Sequence, residues 1–342
     1  MTHVNFMRER YICRMPFLST EIYEDSQYLC CPSWLPVNIK ETSDFKKNFF
    51  SSKAEEVRKS ILDGSYKFCD SVKCPFLSSL DKGEVTSKFL PKEEFYNKHE
   101  DWVNPRKILL GIDPSCNLEC PSCRLSYINF KGERRSFVEN EVNNVSKYLS
   151  DSVENITLCG SGDPFFSKTY FKFLKDFPKE KFPKLKNIHL HTNAILWTED
   201  NWEKLEKIHD YVKSAEISVD AATKETYENK VRIGGKWDKL VENIKFISSI
   251  PSIKKLKFSF VVQTLNYKEM VDFYSLITNL TKKSNANIII FFNLINNWGT
   301  YTDEEFKVHE IHNSLHPEFN NFLKEAYKVN KLNVIHNFKH LV

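Results

Sequence analysis

The chain has 342 residues, 41% hydrophobic and 14% aromatic, enough apolar surface for a sizeable core, so wholesale disorder is excluded. Its 49 basic and 45 acidic residues leave a net charge of +4, and without a long basic run this argues against a protein held on nucleic acid mainly by phosphate contacts. No apolar run approaches the roughly 20 residues of a membrane span, and the polar start, Met1 to Arg10, lacks the apolar stretch of a secretory signal.

A cytoplasmic protein with no membrane association and with reduced thiols is therefore expected. The nine cysteines then read as metal ligands or reactive thiols. They stand at 13, 30, 31, 69, 74, 116, 120, 123 and 159, and none lies beyond Cys159.

Residues 1–80 form a cysteine-rich segment with a Cys-Cys-Pro turn at 30–32 and a second pair at Cys69 and Cys74. Within it Lys53–Leu62 reads as a helix, ended by Asp63-Gly64. Residues 81–104 read as a polar linker. From Lys107 strands alternate with helices: the strand candidates are Lys107–Asp113, Asn155–Cys159, Asn187–His191, Glu216–Asp220, Leu256–Gln263 and Ala286–Phe292. Amphipathic helices are expected near 136–150, 167–177, 200–212, 223–249 and 267–283. Apolar strands separated by helices predict an α/β fold with a parallel sheet. Six such units over residues 105–300 suit a partial (β/α)6 TIM-like barrel, with residues 301–342 as a helical carboxyl-terminal extension.

Cys116-Asn-Leu-Glu-Cys120-Pro-Ser-Cys123 directly follows the first of these strands. Spacings of four and three place three thiolates on one short loop. A [4Fe–4S] cube usually takes four thiolates, so three would leave one iron open to a substrate or cofactor. The end of a barrel strand is also where barrel enzymes place their chemistry. A zinc knuckle with a distant fourth ligand is the competing reading.

The following strand ends carry further motifs in order. They are Cys159-Gly160-Ser161-Gly162-Asp163-Pro164, His191-Thr192-Asn193, Ser218-Val219-Asp220-Ala221-Ala222, and the stretch through Arg232-Ile233-Gly234-Gly235-Lys236-Trp237. With the three-cysteine loop, these resemble the radical SAM superfamily over about residues 105–300. The resemblance implies a [4Fe–4S] cluster on Cys116, Cys120 and Cys123 that chelates S-adenosylmethionine (SAM). Gly160, Ser161, Gly162 and Asp163 would bind the SAM amino group. Thr192, Asn193, Ser218 and Asp220 would face its methionine and ribose, and Arg232 its carboxylate, which a guanidinium fork fits. The chain departs from the family pattern at Ser122, where an aromatic residue is common, and at Asp163, where Glu is.

The amino-terminal cysteines resemble a SPASM/twitch auxiliary-cluster module placed ahead of the barrel. Aligned on that family's Asp-Gly turn, Ser26 takes the glycine position and Cys31 falls in register, with Cys30 spare. The implied ligand set for a second, auxiliary [4Fe–4S] cluster is Cys13, Cys31, Cys69 and Cys74, with Cys30 in place of Cys31 as the alternative. Four thiolates would saturate such a cluster, and a four-cysteine zinc site would staple the same fold.

Other residues carry plainer alternatives. Cys159 is either a hydrogen-atom donor to a substrate radical or a small buried residue. Gln263, Asn266, Asn293, Asn297, Trp298 and Gly299 line a substrate cavity or serve their own turns. Lys53, Arg58 and Lys59 read as a solvated helix face. His309, His312 and His316 lack the company a metal site needs.

The resemblance implies an enzyme that reductively cleaves SAM to a 5′-deoxyadenosyl radical and abstracts a substrate hydrogen, modifying a peptide or protein. A small-molecule substrate such as a sugar or nucleotide sugar is the second reading, and a non-catalytic zinc-stapled binding protein the third. A flavodoxin- or ferredoxin-type reductant is implied as partner.

Overall fold

The computed structural model describes residues 3–97 and 104–342; positions 98–103 of the expected linker lie outside the described residues. Two units divide the chain. The first comprises Met1–Asp113, Lys131–Gly160 and Pro178–Lys186, and the second Pro114–Phe130, Ser161–Phe177 and Asn187–Val342.

Strands of the first unit are β1 (Tyr11–Cys13), β2 (Ser19–Tyr23), β3 (Gln27–Tyr28), β4 (Phe89–Pro91), β5 (Lys107–Gly111) and β6 (Asn155–Leu158). The short β1 and β4 pair antiparallel. Strand β2 runs parallel to β5, which runs parallel to β6, and β3 closes against β2 as an antiparallel hairpin. Within the stretch expected as linker, the described residues include β4 and helix Lys92–Asn97. Its order comes from distant partners, β1 for the strand and Phe17 for the buried Phe95 ring, 4.8 Å apart.

Helix Ser52–Leu62 forms one residue earlier than its periodicity predicts, because the Ser51 side chain caps the Ala54 N–H. Its buried face, Ala54, Val57 and Ile61, follows the three- and four-residue helical spacing. Full burial of each large aliphatic side chain contributes about 1.5–3 kcal/mol. Arg58 lies on this same face and is not solvated. It is 6% exposed, donates from Nε to the Pro16 carbonyl at 3.0 Å and lies 4.3 Å over the Phe49 ring. Burial and that aromatic face, absent from any local pattern, decide its place.

The second unit carries β7 (Asn187–Thr192), β8 (Val212–Ser218), β9 (Lys255–Val262), β10 (Asn287–Leu294) and β11 (Ile335–His336), each parallel to the next. One face of these strands is buried: Ile188, Leu190, Ala215, Ile217, Phe258, Phe260, Ile290 and Phe292. Helices Trp237–Ser249 and Met270–Leu280 contribute buried Leu240, Ile244, Ile247, Phe273 and Ile277. The opposite face is half-buried and polar at His189, His191, Glu216, Ser218 and Lys257. This is the alternation of a strand with one polar side, not a continuous apolar run.

Two helix expectations shrink. Near 200–212 only Glu199–Glu203 and a 3₁₀ turn at Glu206–Ile208 form, and the 223–249 stretch breaks into Lys224–Thr226, a π turn at Tyr227–Val231 and Trp237–Ser249. Gly234, at φ +87°, is in the left-handed conformation at that break. The tail holds helices Asp303–His309 and Phe319–Val329 before β11. Among the described residues no helix is long and apolar enough to cross a membrane.

Candidate active site and amino-terminal cysteine group

The three-cysteine loop lies in the second unit. Cys116 and Cys120 are buried with Leu118 between them, while Cys123 is exposed. The Cys116 N–H donates to the Ile128 carbonyl at 2.9 Å and the Glu119 N–H to the Ile233 carbonyl at 3.0 Å. The second of these bonds ties the loop to the Arg232–Trp237 turn. A Cβ on Gly234 would stand 3.4 Å from the Asn117 carbonyl oxygen, and one on Gly235 only 2.4 Å from Tyr227 Cε1 and 2.8 Å from the Arg232 oxygen. The glycine pair thus permits the close approach of this turn to the loop.

Each sulfur meets an N–H donor. Asn193 Nδ2 lies 3.7 Å from Cys116 Sγ, Arg232 Nη1 3.6 Å from Cys120 Sγ, and Arg124 Nη2 3.5 Å from Cys123 Sγ. Burial, with the Asp163 carboxylate adding to it, pushes the Cys116 thiol up to about 12. Burial likewise raises Cys120, against the nearby Arg232 charge. Donors aimed at buried sulfurs suit thiolates that bind an electron-rich cluster, and such hydrogen bonds tune iron–sulfur sites generally.

Asp163 organises the next strand end. Its buried Oδ2 accepts from Thr192 Oγ1 at 2.7 Å and from the Asn193 N–H at 2.9 Å, and Oδ1 from the Phe165 N–H at 3.0 Å. Its own N–H donates to the Ser115 carbonyl. Burial pushes its carboxyl up, and the donated hydrogen bonds pull the other way. The carboxylate is therefore committed to Thr192 and Asn193, a positioning role. Asn193 Nδ2 also donates to Asn117 Oδ1 at 2.9 Å, and its Oδ1 accepts from the Ile195 N–H.

Asp220, two residues beyond β8, is in the left-handed region, φ 64°. Its Oδ1 accepts from the Val261 N–H at 2.8 Å and its Oδ2 stands 2.6 Å from Arg232 Nη2. Burial works against the Arg232 charge, but Asp220 and then Cys120 more than offset it, so the guanidinium is held above its ordinary value. Among the described residues, Arg232 Nε and the Tyr227 hydroxyl are buried with no hydrogen-bond partner. Ser218 Oγ contacts His191 Nε2 at 3.0 Å and Ser259 Oγ at 3.4 Å. Asn193, Asp220 and Arg232 thus reach the cysteine loop or its direct neighbours, while Ser218 turns toward the polar strand face.

Gly160, Ser161 and Gly162 form the bend after β6. In the first unit a Cβ on Gly160 would meet only Leu109 at 4.0 Å, so no close approach is enforced there. Cys159 is buried at φ 70°, its N–H donating to the Leu110 carbonyl at 3.2 Å. Asn266 and Asn297 serve turns: Asn266 Oδ1 accepts from the Gln263 N–H, and Asn297 Oδ1 from Gly299 and Tyr301.

Arg124 is the residue that sequence reasoning missed. It donates to the Pro114 carbonyl at 3.0 Å and the Ser161 carbonyl at 2.7 Å, besides Cys123, so it ties the cysteine loop to the glycine-rich bend. Its place directly after the third cysteine was the available signal.

The amino-terminal cysteines lie in the first unit. Cys13, Cys69 and Cys74 pack on one apolar cluster containing Ile12, Tyr66, Leu77 and Phe89. The Cys13 N–H donates to the Tyr66 hydroxyl, and Cys74 Sγ accepts from the Leu77 N–H at 3.4 Å. Burial pushes Cys13 and Cys69 each up to about 12, and Cys74 adds to both. Cys30 packs with Cys69 on the neighbouring apolar cluster of Leu29, Leu35, Ile39, Phe49, Ala54 and Val57, and the Cys31 carbonyl accepts from the Trp34 and Leu35 N–H groups at 2.9 Å each.

Residues 112–277 match the family model described as the Radical SAM superfamily. No curated protein matches the chain. Among solved structures it is similar to Streptococcus suis SuiB bound to precursor peptide SuiA, at 16% identity over 84% of this chain and 63% of that one, with a TM-score of 0.47. It is also similar to anSMEcpe with bound AdoMet, at 16% identity over 68% of this chain and 64% of that one, with a TM-score of 0.44. The chain covers less than two thirds of either structure's length. On the family-model match, residues 112–277 form a radical SAM superfamily domain, and the fold is the parallel α/β arrangement of a partial barrel.

Proposed function

We propose that the chain modifies a peptide or protein, with a [4Fe–4S] cluster on Cys116, Cys120 and Cys123, SAM beside it, and an auxiliary cluster in the amino-terminal segment. The observation that carries this is the N–H donor at each of the three loop sulfurs, together with Asp163, Thr192, Asn193, Asp220 and Arg232 grouped around them. When bound, cluster and SAM supply the electron and the carbon radical that remove a substrate hydrogen atom.

The chain's own residues hold and orient. Arg124 fixes the loop against the Ser161 carbonyl. Asp163 fixes Thr192 and Asn193. The Arg232 guanidinium, with Nε still unpartnered, supplies positive charge for the SAM carboxylate. Gly160, Ser161 and Gly162 would offer backbone groups to the SAM amino group, and Ser218 a hydroxyl to the ribose. Cys159 keeps the role of a small buried residue in this reading, consistent with its burial.

A small polar substrate is the second reading. It is favoured by the half-buried face of β7 to β9, where Glu216 pairs with Lys257 at 3.1 Å beside His189 and His191. Anaerobic reconstitution tests the first step. Deoxyadenosine formed from SAM on reduction with dithionite supports it, and its absence from protein fully loaded with iron and sulfide would sink it. A peptide library and a nucleotide-sugar panel, each read by mass spectrometry, separate the two substrate classes.

A further inference from the structure

We infer that Glu269 is a positioning residue whose carboxylate clamps the turn after Asp220 and so holds Arg232 against Asp220. This rests on the reading that the Arg232 guanidinium serves the SAM carboxylate. All the residues involved belong to the second unit.

Four donors meet on that one carboxylate. Glu269 Oε2 accepts from the Ala222 N–H at 2.6 Å and from the Thr223 N–H at 3.1 Å. Its Oε1 accepts from Thr223 Oγ1 at 2.8 Å and from Thr226 Oγ1 at 2.5 Å. Every donor comes from residues 222–226, 43 to 47 positions earlier in the chain. Glu269 stands directly before helix Met270–Leu280, yet its side chain makes no cap bond to that helix. A carboxylate at a helix start ordinarily gains from the free N–H groups there. This one is turned to another segment instead.

Asn266, on the same connection after β9, secures the beginning of the turn. It is 1% exposed, and its Nδ2 donates to the Asp220 and Val261 carbonyls at 2.8 Å each. Asp220 Oδ1 in turn accepts from the Val261 N–H. Asp220 is therefore fixed by β9 and Asn266 without Glu269.

Arg232 is reached differently. Between it and Asp220 run the three-residue helix Lys224–Thr226 and the π turn Tyr227–Val231. Elements this short do not hold themselves, and π turns occur frequently at functional sites. The Tyr227 N–H donates to the Thr223 carbonyl at 3.0 Å, and the Arg232 N–H to the Tyr227 carbonyl at 2.8 Å. A series of bonds thus runs from Glu269 through Thr223 and Tyr227 to Arg232, whose Nη2 stands 2.6 Å from Asp220 Oδ2. The bond from the Glu119 N–H to the Ile233 carbonyl holds the far side of this excursion, and Glu269 holds the near side. Releasing the clamp leaves Asp220 in place while the backbone leading to Arg232 shifts.

The test reads SAM affinity by equilibrium dialysis of the reconstituted full-length chain, and hydrogen exchange of the iron-free chain. Glu269→Gln replaces one acceptor oxygen by an NH2 group that faces two of the four donors. It should speed exchange over residues 222–232 and weaken SAM binding about tenfold, a change of about 1.4 kcal/mol, with iron content unchanged. In an Arg232→Met background the same substitution should cost little further affinity, because the clamp acts through Arg232. Thr226→Ser keeps the hydroxyl and should bind SAM as the parent does, whereas Thr226→Val keeps the shape and should lose part of the affinity. That pair carries the test should E269Q fold poorly. Parental affinity in both E269Q and T226V overturns the positioning role. So does an equal loss with and without Arg232, since a merely structural effect would appear in both backgrounds. Arg232→Met with parental affinity overturns instead the reading that Arg232 serves SAM, and so is distinguishable from a wrong role for Glu269.

Discussion

Asp220→Asn is the sharpest perturbation of the site. Asp220 and Arg232 are 4% and 13% exposed in their side chains and stand 2.6 Å apart, so the pair has little solvent screening. Removing one partner of a buried pair costs about 3–5 kcal/mol, mainly because the other charge stays buried. Asparagine tolerates the left-handed φ of 64° and keeps an oxygen for the Val261 N–H, so Asp220→Asn isolates the charge. We expect a loss near the low end, about 3 kcal/mol, since Arg232 still reaches Cys120. Asp220→Ala adds a left-handed penalty of about 1–2 kcal/mol and an unsatisfied Val261 N–H at about 1–3 kcal/mol, for a total of about 6 kcal/mol. For a chain this long, about 3 kcal/mol lowers Tm by roughly 4 °C. The assay is urea and thermal unfolding of the iron-free full-length chain by circular dichroism, with Arg232→Met and the double variant completing a cycle. If the coupling is real, the double variant is clearly less destabilised than the sum of the singles. D220N within about 0.5 kcal/mol of the parent, or strict additivity, would refute the pairing.

Arg124→Met removes two hydrogen bonds from a charged donor to carbonyls, each about 1.5–3 kcal/mol, and should raise hydrogen exchange over residues 114–130 and speed iron loss to chelator; Arg124→Lys, which keeps charge but not the fork, should recover only part. Unchanged exchange would show that the loop does not depend on it. Gly235→Ala places a Cβ against both the Tyr227 ring and the Arg232 carbonyl, an overpacking cost of about 1–3 kcal/mol. Tyr227→Ala added to it should relieve only the ring contact, so full rescue in melting experiments would contradict the backbone clash. His189 is held at about 4, first by burial and then by His191. Its folded value lies below its unfolded one, so the unfolded chain binds the extra proton between about pH 6.5 and 4. Stability should therefore fall as pH drops through that window, by up to about 3 kcal/mol, and level off below it. A His189→Gln variant that retains the full slope would exclude this residue as the cause.

Strand positions were readable because each parallel strand carries an apolar core bracketed by turn residues, as in Lys255–Val262 and Asn287–Leu294. The polar side of those strands was harder to read. Lysine, glutamate and histidine within β7 to β9 interrupt the apolar run, and only neighbouring strands show that they share one face. Residues 81–104 looked featureless because β4 pairs with β1 some 80 residues earlier in sequence, a contact without a local signature. Arg58 misled for a similar reason: its helical neighbours are charged, and the ring that receives it, Phe49, belongs to another helix.

The three-cysteine loop and the order of the strand-end motifs could be read from sequence because their spacing is covalent. Cys116, Cys120 and Cys123 lie within eight residues and stay close whatever the rest of the chain does. The same residues alone could not tell which side chain turns toward which sulfur. That Asp163 serves Thr192 and Asn193 and that Arg124 closes the loop on Ser161 both depend on packing between segments distant in sequence. These hydrogen bonds join residues 29 to 37 positions apart, and only the packed fold brings such donors and acceptors within reach.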